Sequence, residues 1–452
     1  MEAPRSDVAV VKPAARLRGV LGLPGDKSIS HRALLLAALA GGNARIHGAG
    51  DGEDVRTTAR LVEALGVTLD REPTGDGRTI DYAVRSPGAA GLREPDDVLD
   101  CGNSGTSLRL LAGVLAGRPW TTVLTGDSSL RRRPIARIVK PLRAMGADVH
   151  GRRSDTLPPI AITGTSPLRA IDWTTEVPSA QVKSSILLAG LAAEGRTTVA
   201  EIVATRDHTE RMLRARGVRV ESVDAGPDGG ARVTIEGGQA VAAVDETVPG
   251  DVSAAAFWLV AAAIHPDAEL RLDGVGLNPT RTEILDLLER MGADVRIAAD
   301  RGPDTATNAT GEPRGSVVAR SSDLRPIDVE PHEVAAAIDE IPVLCLAATQ
   351  AAGTSTIRGV GELRVKESDR VAGIAAGLIA LGARVDVEGD VLRVHGPTPL
   401  RGAAVDALGD HRLAMTFAVA ALVAGSETAI AGSSSASISY PGFFDDLERI
   451  VS

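Results

Sequence analysis

Two kinds of apolar spacing alternate along the chain. In the first, apolar residues recur every three or four positions and give way to a glycine and then to an alternating apolar–polar run. The stretches are LVEALGVTL (61–69), PLRAMGADVHG (141–151), MLRARGVRVE (212–221), LLERMGADVRI (287–297) and GLIALGARVDV (377–387). The leading part of each predicts an amphipathic helix and the trailing part a half-buried strand. The glycines between them, Gly66, Gly146, Gly217, Gly292 and Gly382, stand where a helix C′ residue needs positive φ. In the second kind of spacing, apolar residues occupy every face. Six Ala-rich segments of this type, 29–40, 105–116, 182–193, 251–264, 340–351 and 410–424, predict interior helices.

Successive marker glycines lie 80, 71, 75 and 90 residues apart. Each interior segment leads into a short glycine-bounded strand such as GTSTIRGV or GSETAIAG, so the chain reads as one unit repeated. Six copies of roughly 75 residues account for most of it. GFFDDLERIVS at the C-terminus supplies the sixth amphipathic helix, and DRGPDTATNATGEPRG (300–315) in the longest interval is a polar surface loop. Helices apolar all round argue against an open solenoid. They predict an α/β protein of two closed domains, with helices inside and sheets outside.

Composition narrows the function. At 452 residues the chain exceeds what one core supports. A net charge of −10 repels nucleic acid and anionic membranes, and 2% aromatic residues leave no base-stacking platform. The N-terminus has no signal-peptide core, and the longest apolar run, Ala254–Ile264, is too short to span a bilayer. Cys101 and Cys345 are lone thiols, and eight scattered histidines form no ligand pattern. The expectation is a cytoplasmic protein with no metal and no cofactor. Nothing in the sequence fixes oligomeric state, and a monomer is the default.

Candidate chemistry gathers where the interior helices begin: GDKSISHR, GNSGTSLR, PSAQVKSS, GDVSAAAF, IDEIPVL and GDHRLAM. Helix capping accounts for Ser28, Ser179, Asp251, Asp339 and Asp410. It leaves Lys27, Arg32, Arg109 and Arg412 unexplained, because cations at helix N-termini cost free energy unless an anion arrives. Several such starts brought together make an anion trap. GDKS is not a P-loop, since Asp26 stands where that motif needs glycine. RRRP (131–134) reads either as a solvated charge run or as a phosphate or carboxylate clamp. His31 and His411 read as packed side chains. VKESDRV (365–371) sets Lys366, Glu367, Asp369 and Arg370 within about one turn, which by spacing alone predicts a surface helix with internal ion pairs.

Taken in order, LPGDKSISHR, DCGNSGTSLRLL, RRRPI, SAQVKSSILLAG, TRDHTERML, IDEIPVL, LRVKESDR and DHRLAM make a chain that resembles the 3-phosphoshikimate 1-carboxyvinyltransferase family along nearly its whole length. The resemblance implies a two-domain inside-out α/β barrel. One domain would be 1–25 with 248–452, the other 26–247, and the active site would lie in the cleft between them. It implies transfer of the enolpyruvyl group of phosphoenolpyruvate to the 5-hydroxyl of shikimate 3-phosphate, by addition and then elimination of phosphate. Two phosphates bring about −1.5 to −2 each. Lys27, Arg32, Arg133, Lys366, Arg370 and Arg412 would answer them and the substrate carboxylates, giving each domain a basic face.

Carried over by residue, Lys27, Ser28, Arg32, Ser179, Gln181, Asp339 and Lys366 would hold shikimate 3-phosphate, with Thr205 and Arg206 at the edge of that pocket. Lys27, Gly105, Arg133, Gln181, Arg370 and Arg412 would hold phosphoenolpyruvate. Asp339 would take the hydroxyl proton, Glu367 would protonate the methylene carbon, and Lys27 would serve both substrates. Some members carry asparagine where this chain has Glu362, and some lysine where it has Ile438. The family is the target of glyphosate; GDKS, SAQVK, RDHT and NPTR resemble its tolerant class, Gly105 the sensitive pattern. UDP-N-acetylglucosamine enolpyruvyl transferase is the nearest rival, but its loop cysteine has no counterpart in TGDSSLRRRPIARIV, and DKS differs from its Lys-Asn pair. A paralogue with another cyclic hydroxyacid acceptor and a non-catalytic anion-binding protein are the remaining alternatives. The last gains nothing from carboxylates beside Lys366.

Overall fold

The computed structural model describes residues 7–224, 230–298 and 311–451. All six apolar segments are helices: Lys27–Leu39, Gly105–Ala116, Ala180–Gly190, Val252–Ile264, Ile341–Gln350 and His411–Ala421. They are interior helices as their patterning requires; in Val252–Ile264 every residue but the last is buried. Six amphipathic helices alternate with them: Glu53–Ala64, Ala136–Ala144, His208–Ala215, Glu283–Arg290, Arg370–Ala380 and Phe443–Ile450. The five marker glycines all adopt positive φ, from 78° to 107°, which a side chain would resist.

Five of the six repeats close with an antiparallel pair of successive strands. In one sheet Asp294–Ala298 pairs antiparallel with Arg314–Arg320, which pairs antiparallel with Ala268–Gly276, which runs parallel to Leu17–Gly22. Four more sheets repeat this order. The sixth is completed by the beginning of the chain, where Val8–Val11 pairs with Thr428–Ala431. Inward side chains of the sheets and the interior helices form two separate apolar cores.

The described residues divide into two compact units. The first holds residues up to Pro24, those from Pro249 to 298 and those from Pro313 onward; the second holds Gly25–Val248 with Gly311 and Glu312. Gly25 opens the second unit under a tight constraint, since a Cβ there would stand 2.0 Å from the carbonyl oxygen of Gly48. Its absence lets strand Gly41–Gly50 pass directly beside the start of the first interior helix.

The far ends of the interior helices are closed by a repeated device. Backbone N–H groups of Thr165, Gly238, Ser322, Thr398 and Ala14 donate to carbonyls at the ends of five helices, those of Ala116, Leu191, Ala263, Thr349 and Leu422. At the sixth, the Ser86 hydroxyl donates to Ala38. These bonds satisfy carbonyls that a buried helix end cannot leave bare. The N-terminal ends are where polar side chains collect.

Candidate active site

In the second unit, Asp26 rather than Ser28 caps the first interior helix, its Oδ1 accepting from the Ile29 N–H at 2.9 Å. Lys27 is the first helical residue, and its Nζ lies 3.2 Å from Asp54 Oδ2. One turn on, Arg32 is 3% exposed. Its Nε donates to Thr209 Oγ1 at 2.7 Å, Nη2 to Ser184 Oγ at 2.8 Å and Nη1 to the Ser28 carbonyl at 2.9 Å. Burial lowers its pKa to about 10, partly opposed by Glu210 and Asp26. Arg32 is therefore a buried cation hydrogen-bonded to neutral oxygens.

The starts of the next two interior helices are tied together. Ser104 and Ser179 cap them. Gln181 accepts from Arg109 Nη1 at 2.5 Å and donates to Thr106 Oγ1 at 2.9 Å. Arg133 Nη2 donates to Asn103 Oδ1 at 2.7 Å. A Cβ on Gly105 would meet Arg109 Nη1 at 2.9 Å and Arg133 Nη1 at 3.2 Å, so this glycine leaves its first turn open beside two guanidinium groups. Within RRRP, Arg131 and Arg132 are exposed and only Arg133 is buried, which favours the clamp reading for that one residue. A hydroxyl chain runs from His31 Nδ1 through Thr58 and Ser107 to Ser104, joining the first two helix starts.

The first unit is built around carboxylates. Arg370 is 1% exposed. Its Nε donates to Asp410 Oδ2 at 2.8 Å, Nη2 to Glu367 Oε2 at 2.6 Å and Nη1 to Asp339 Oδ1 at 3.3 Å. Burial disfavours its charge, but Asp410, Glu367 and Asp339 outweigh that and raise its pKa. Arg281 likewise reaches both oxygens of buried Glu340 at 3.0 Å. The Asp410 carboxylate caps the last interior helix through the Arg412 N–H at 2.9 Å. The Arg412 side chain is buried, and its Nε has no hydrogen-bond partner among the described residues.

Several expectations change here. Ser28 is inside its helix, and Asp339 precedes Glu340, the N-cap residue, without capping; Ser179, Asp251 and Asp410 do cap. Lys366–Asp369 lie before the helix that begins at Arg370, not within a surface helix, and Arg370 bonds across 40 residues to Asp410. The first unit has no simple basic face: Asp251, Asp339, Glu340, Glu367 and Asp410 stand among Arg281, Lys366, Arg370 and Arg412 at its helix starts. Thr205 has its hydroxyl, N–H and carbonyl all engaged by Glu201 and Lys183. Sequence reasoning missed Asp54, Lys183, Glu201, Glu210, Arg281 and Glu340. Lys183 and Arg281 lay in the quoted motifs SAQVKSS and NPTR, but only the fold supplies their carboxylates.

The family model of EPSP synthase (3-phosphoshikimate 1-carboxyvinyltransferase) matches residues 11–447. A relative from Synechococcus sp. (strain JA-3-3Ab), named 3-phosphoshikimate 1-carboxyvinyltransferase, is 47% identical over 99% of this chain and 97% of its own. One of the same name from Roseiflexus sp. (strain RS-1) is 49% identical over 98% of each. The solved structure of EPSP synthase from Acinetobacter baumannii superposes with a TM-score of 0.84 at 37% identity, covering 98% of both chains. The enolpyruvyl transferase NikO from Streptomyces tendae shares the fold, with a TM-score of 0.76 at 21% identity over 99% of this chain and 98% of its own.

Proposed function

The chain belongs to the EPSP synthase family, and from that premise we propose how its residues divide the work. The protein transfers the enolpyruvyl group of phosphoenolpyruvate to shikimate 3-phosphate and releases phosphate. The acceptor is the 5-hydroxyl.

Lys27, Ser28, Arg32, Ser179 and Gln181 of the second unit bind shikimate 3-phosphate. Lys27, Gly105, Arg133 and Gln181 of the same unit, with Arg370 and Arg412 of the first, bind phosphoenolpyruvate. Arg412 supports this reading, because a buried charged nitrogen such as its Nε, without a partner among the described residues, is costly until an anion meets the group. In the addition step Glu367 gives a proton to the methylene carbon, Asp339 takes the proton of the acceptor hydroxyl, and that oxygen bonds to the central carbon. In the elimination step the carbon–phosphate oxygen bond breaks and phosphate leaves, the new methyl group returns its proton to Glu367, and the carbon–carbon double bond re-forms, now as an enol ether. Lys366 stabilises charge between the two carboxylates.

The observation that carries the assignment is the shared guanidinium of Arg370, which holds Asp339 and Glu367 on adjacent nitrogens. Two carboxyl groups on one guanidinium support a reading in which one takes a proton and the other gives one. Phosphate release should require shikimate 3-phosphate and should not occur with UDP-N-acetylglucosamine in its place. Glu367→Gln should cut turnover by about 100-fold or more while shikimate 3-phosphate binds within a few-fold of normal. Unchanged turnover in a folded variant removes Glu367 from the chemistry. We also propose a cytoplasmic monomer: the two buried free thiols accord with a reducing compartment, and light scattering tests the monomer.

A further inference from the structure

The three interior helices of the second unit, Lys27–Leu39, Gly105–Ala116 and Ala180–Gly190, carry polar residues at their starts and a cavity at their other ends. Leu39, Val114 and Leu188, from their last turns, form one wall, and residues 87–90 and 239–241 form most of the rest. The cavity is half open to solvent, about 290 Å³ in volume, and lined mainly by aliphatic side chains and backbone. Small-molecule sites have this character: concave and apolar, with a few placed polar groups.

Among the described residues, Arg118 is the one charged side chain in the cavity wall. Its Nη1 donates to the Ala89 carbonyl, which also lines the cavity and so holds the guanidinium against it. Its Nε is buried and has no hydrogen-bond partner among the described residues. Burial lowers its pKa, and no neighbouring carboxylate opposes that. Arg216, which likewise follows a helix of this unit, is instead buried against the carboxylate of Glu246. The negative end of a helix favours an arginine just beyond it. Yet Arg118 is not needed to close its own helix, whose Ala116 carbonyl already accepts from the Thr165 N–H.

One cation against apolar walls selects an anion of single charge with an apolar body. A polyanion would exceed what one guanidinium can answer and would face the negative ends of three helices. The volume suits a small free molecule rather than a folded partner. We propose that this cavity is a second binding site, for a monocarboxylic acid of about the size of benzoate, its carboxylate on Arg118 and its body against Leu39, Val114 and Leu188. Binding there requires neither substrate of the proposed reaction.

Benzoate and its neutral amide, benzamide, are titrated into the protein by calorimetry. Benzoate should bind wild type with a Kd of about 1 mM or tighter, and benzamide about tenfold more weakly. Arg118→Gln removes the charge and should weaken benzoate about tenfold while leaving benzamide, and phosphate release from the substrates, within about twofold of wild type. Ala240 lies at an exposed edge of the cavity, so Ala240→Trp should fill it and weaken both probes whether or not the Arg118 variant folds well. Benzoate binding unchanged in both variants places the anion elsewhere and overturns the proposal. So does a wild-type protein that binds no benzoate, and a lowered unfolding midpoint in Arg118→Gln would then mark Arg118 as a helix-end charge only.

Discussion

Arg32 and Arg370 are the same residue, each in the first two turns of a helix, one interior and the other amphipathic, and each almost fully buried. Their surroundings are opposite. Arg32 bonds two hydroxyls and a carbonyl, and burial pushes its pKa down to about 10. Arg370 bonds three carboxylates, and its pKa is raised. A guanidinium bonded to neutral oxygens keeps its charge for an incoming anion. One bonded to carboxylates has its charge balanced and also holds those carboxylates in place. The two units therefore surround a buried arginine differently: the second with hydroxyl and carbonyl oxygens, the first with carboxylates.

The largest effect should come from removing the two arginines in turn. Arg370→Met leaves Asp410, Glu367 and Asp339 without their shared cation and should cost about 3–5 kcal/mol in urea unfolding. Arg32→Met removes a desolvated cation that has no carboxylate bonded to it, and should cost only ~1–2 kcal/mol while weakening shikimate 3-phosphate about 10- to 100-fold by calorimetry. Equal stability losses would erase the contrast between the units.

A smaller effect is expected at Gly105. The methyl of Gly105→Ala must displace the tips of Arg109 and Arg133, which are flexible ends rather than backbone. The fold should survive, and the KM for phosphoenolpyruvate should rise about tenfold with the KM for shikimate 3-phosphate little changed. Equal rises for both substrates would mean that the two guanidinium groups do not mark one subsite.

The smallest effect concerns pH. His31 is buried, and burial together with Lys27 and Arg32 holds its pKa well below the ordinary 6.5. Between that lowered value and 6.5 the unfolded chain binds the proton and the folded chain does not, so stability falls as pH drops through 6.5 and is level above it. Replacing His31 with glutamine should flatten the urea midpoint between pH 5 and 7 relative to wild type. An unchanged slope would assign the acid sensitivity to other groups.

Much of the architecture was legible because its signals are local. Periodicity marked both helix types, and five glycines marked the helix ends, each confirmed by its positive φ. The Asp26 cap was missed because Ser28, two residues on, is as good a capping residue and only backbone angles distinguish them. The nature of VKESDR was misread because intrahelical spacing is silent about Asp410, the partner that draws Arg370 inward.

By itself the sequence determined six repeated units, interior helices and polar helix starts, since helix period, capping preference and glycine's access to positive φ act over a few residues. Which charges meet which was decided by tertiary structure alone. Arg32 finds Ser184 and Thr209 across 152 and 177 residues, and Arg370 finds Asp410 across 40. Electrostatic energy depends on distance and burial in the folded chain, and neither is written in the spacing of a motif.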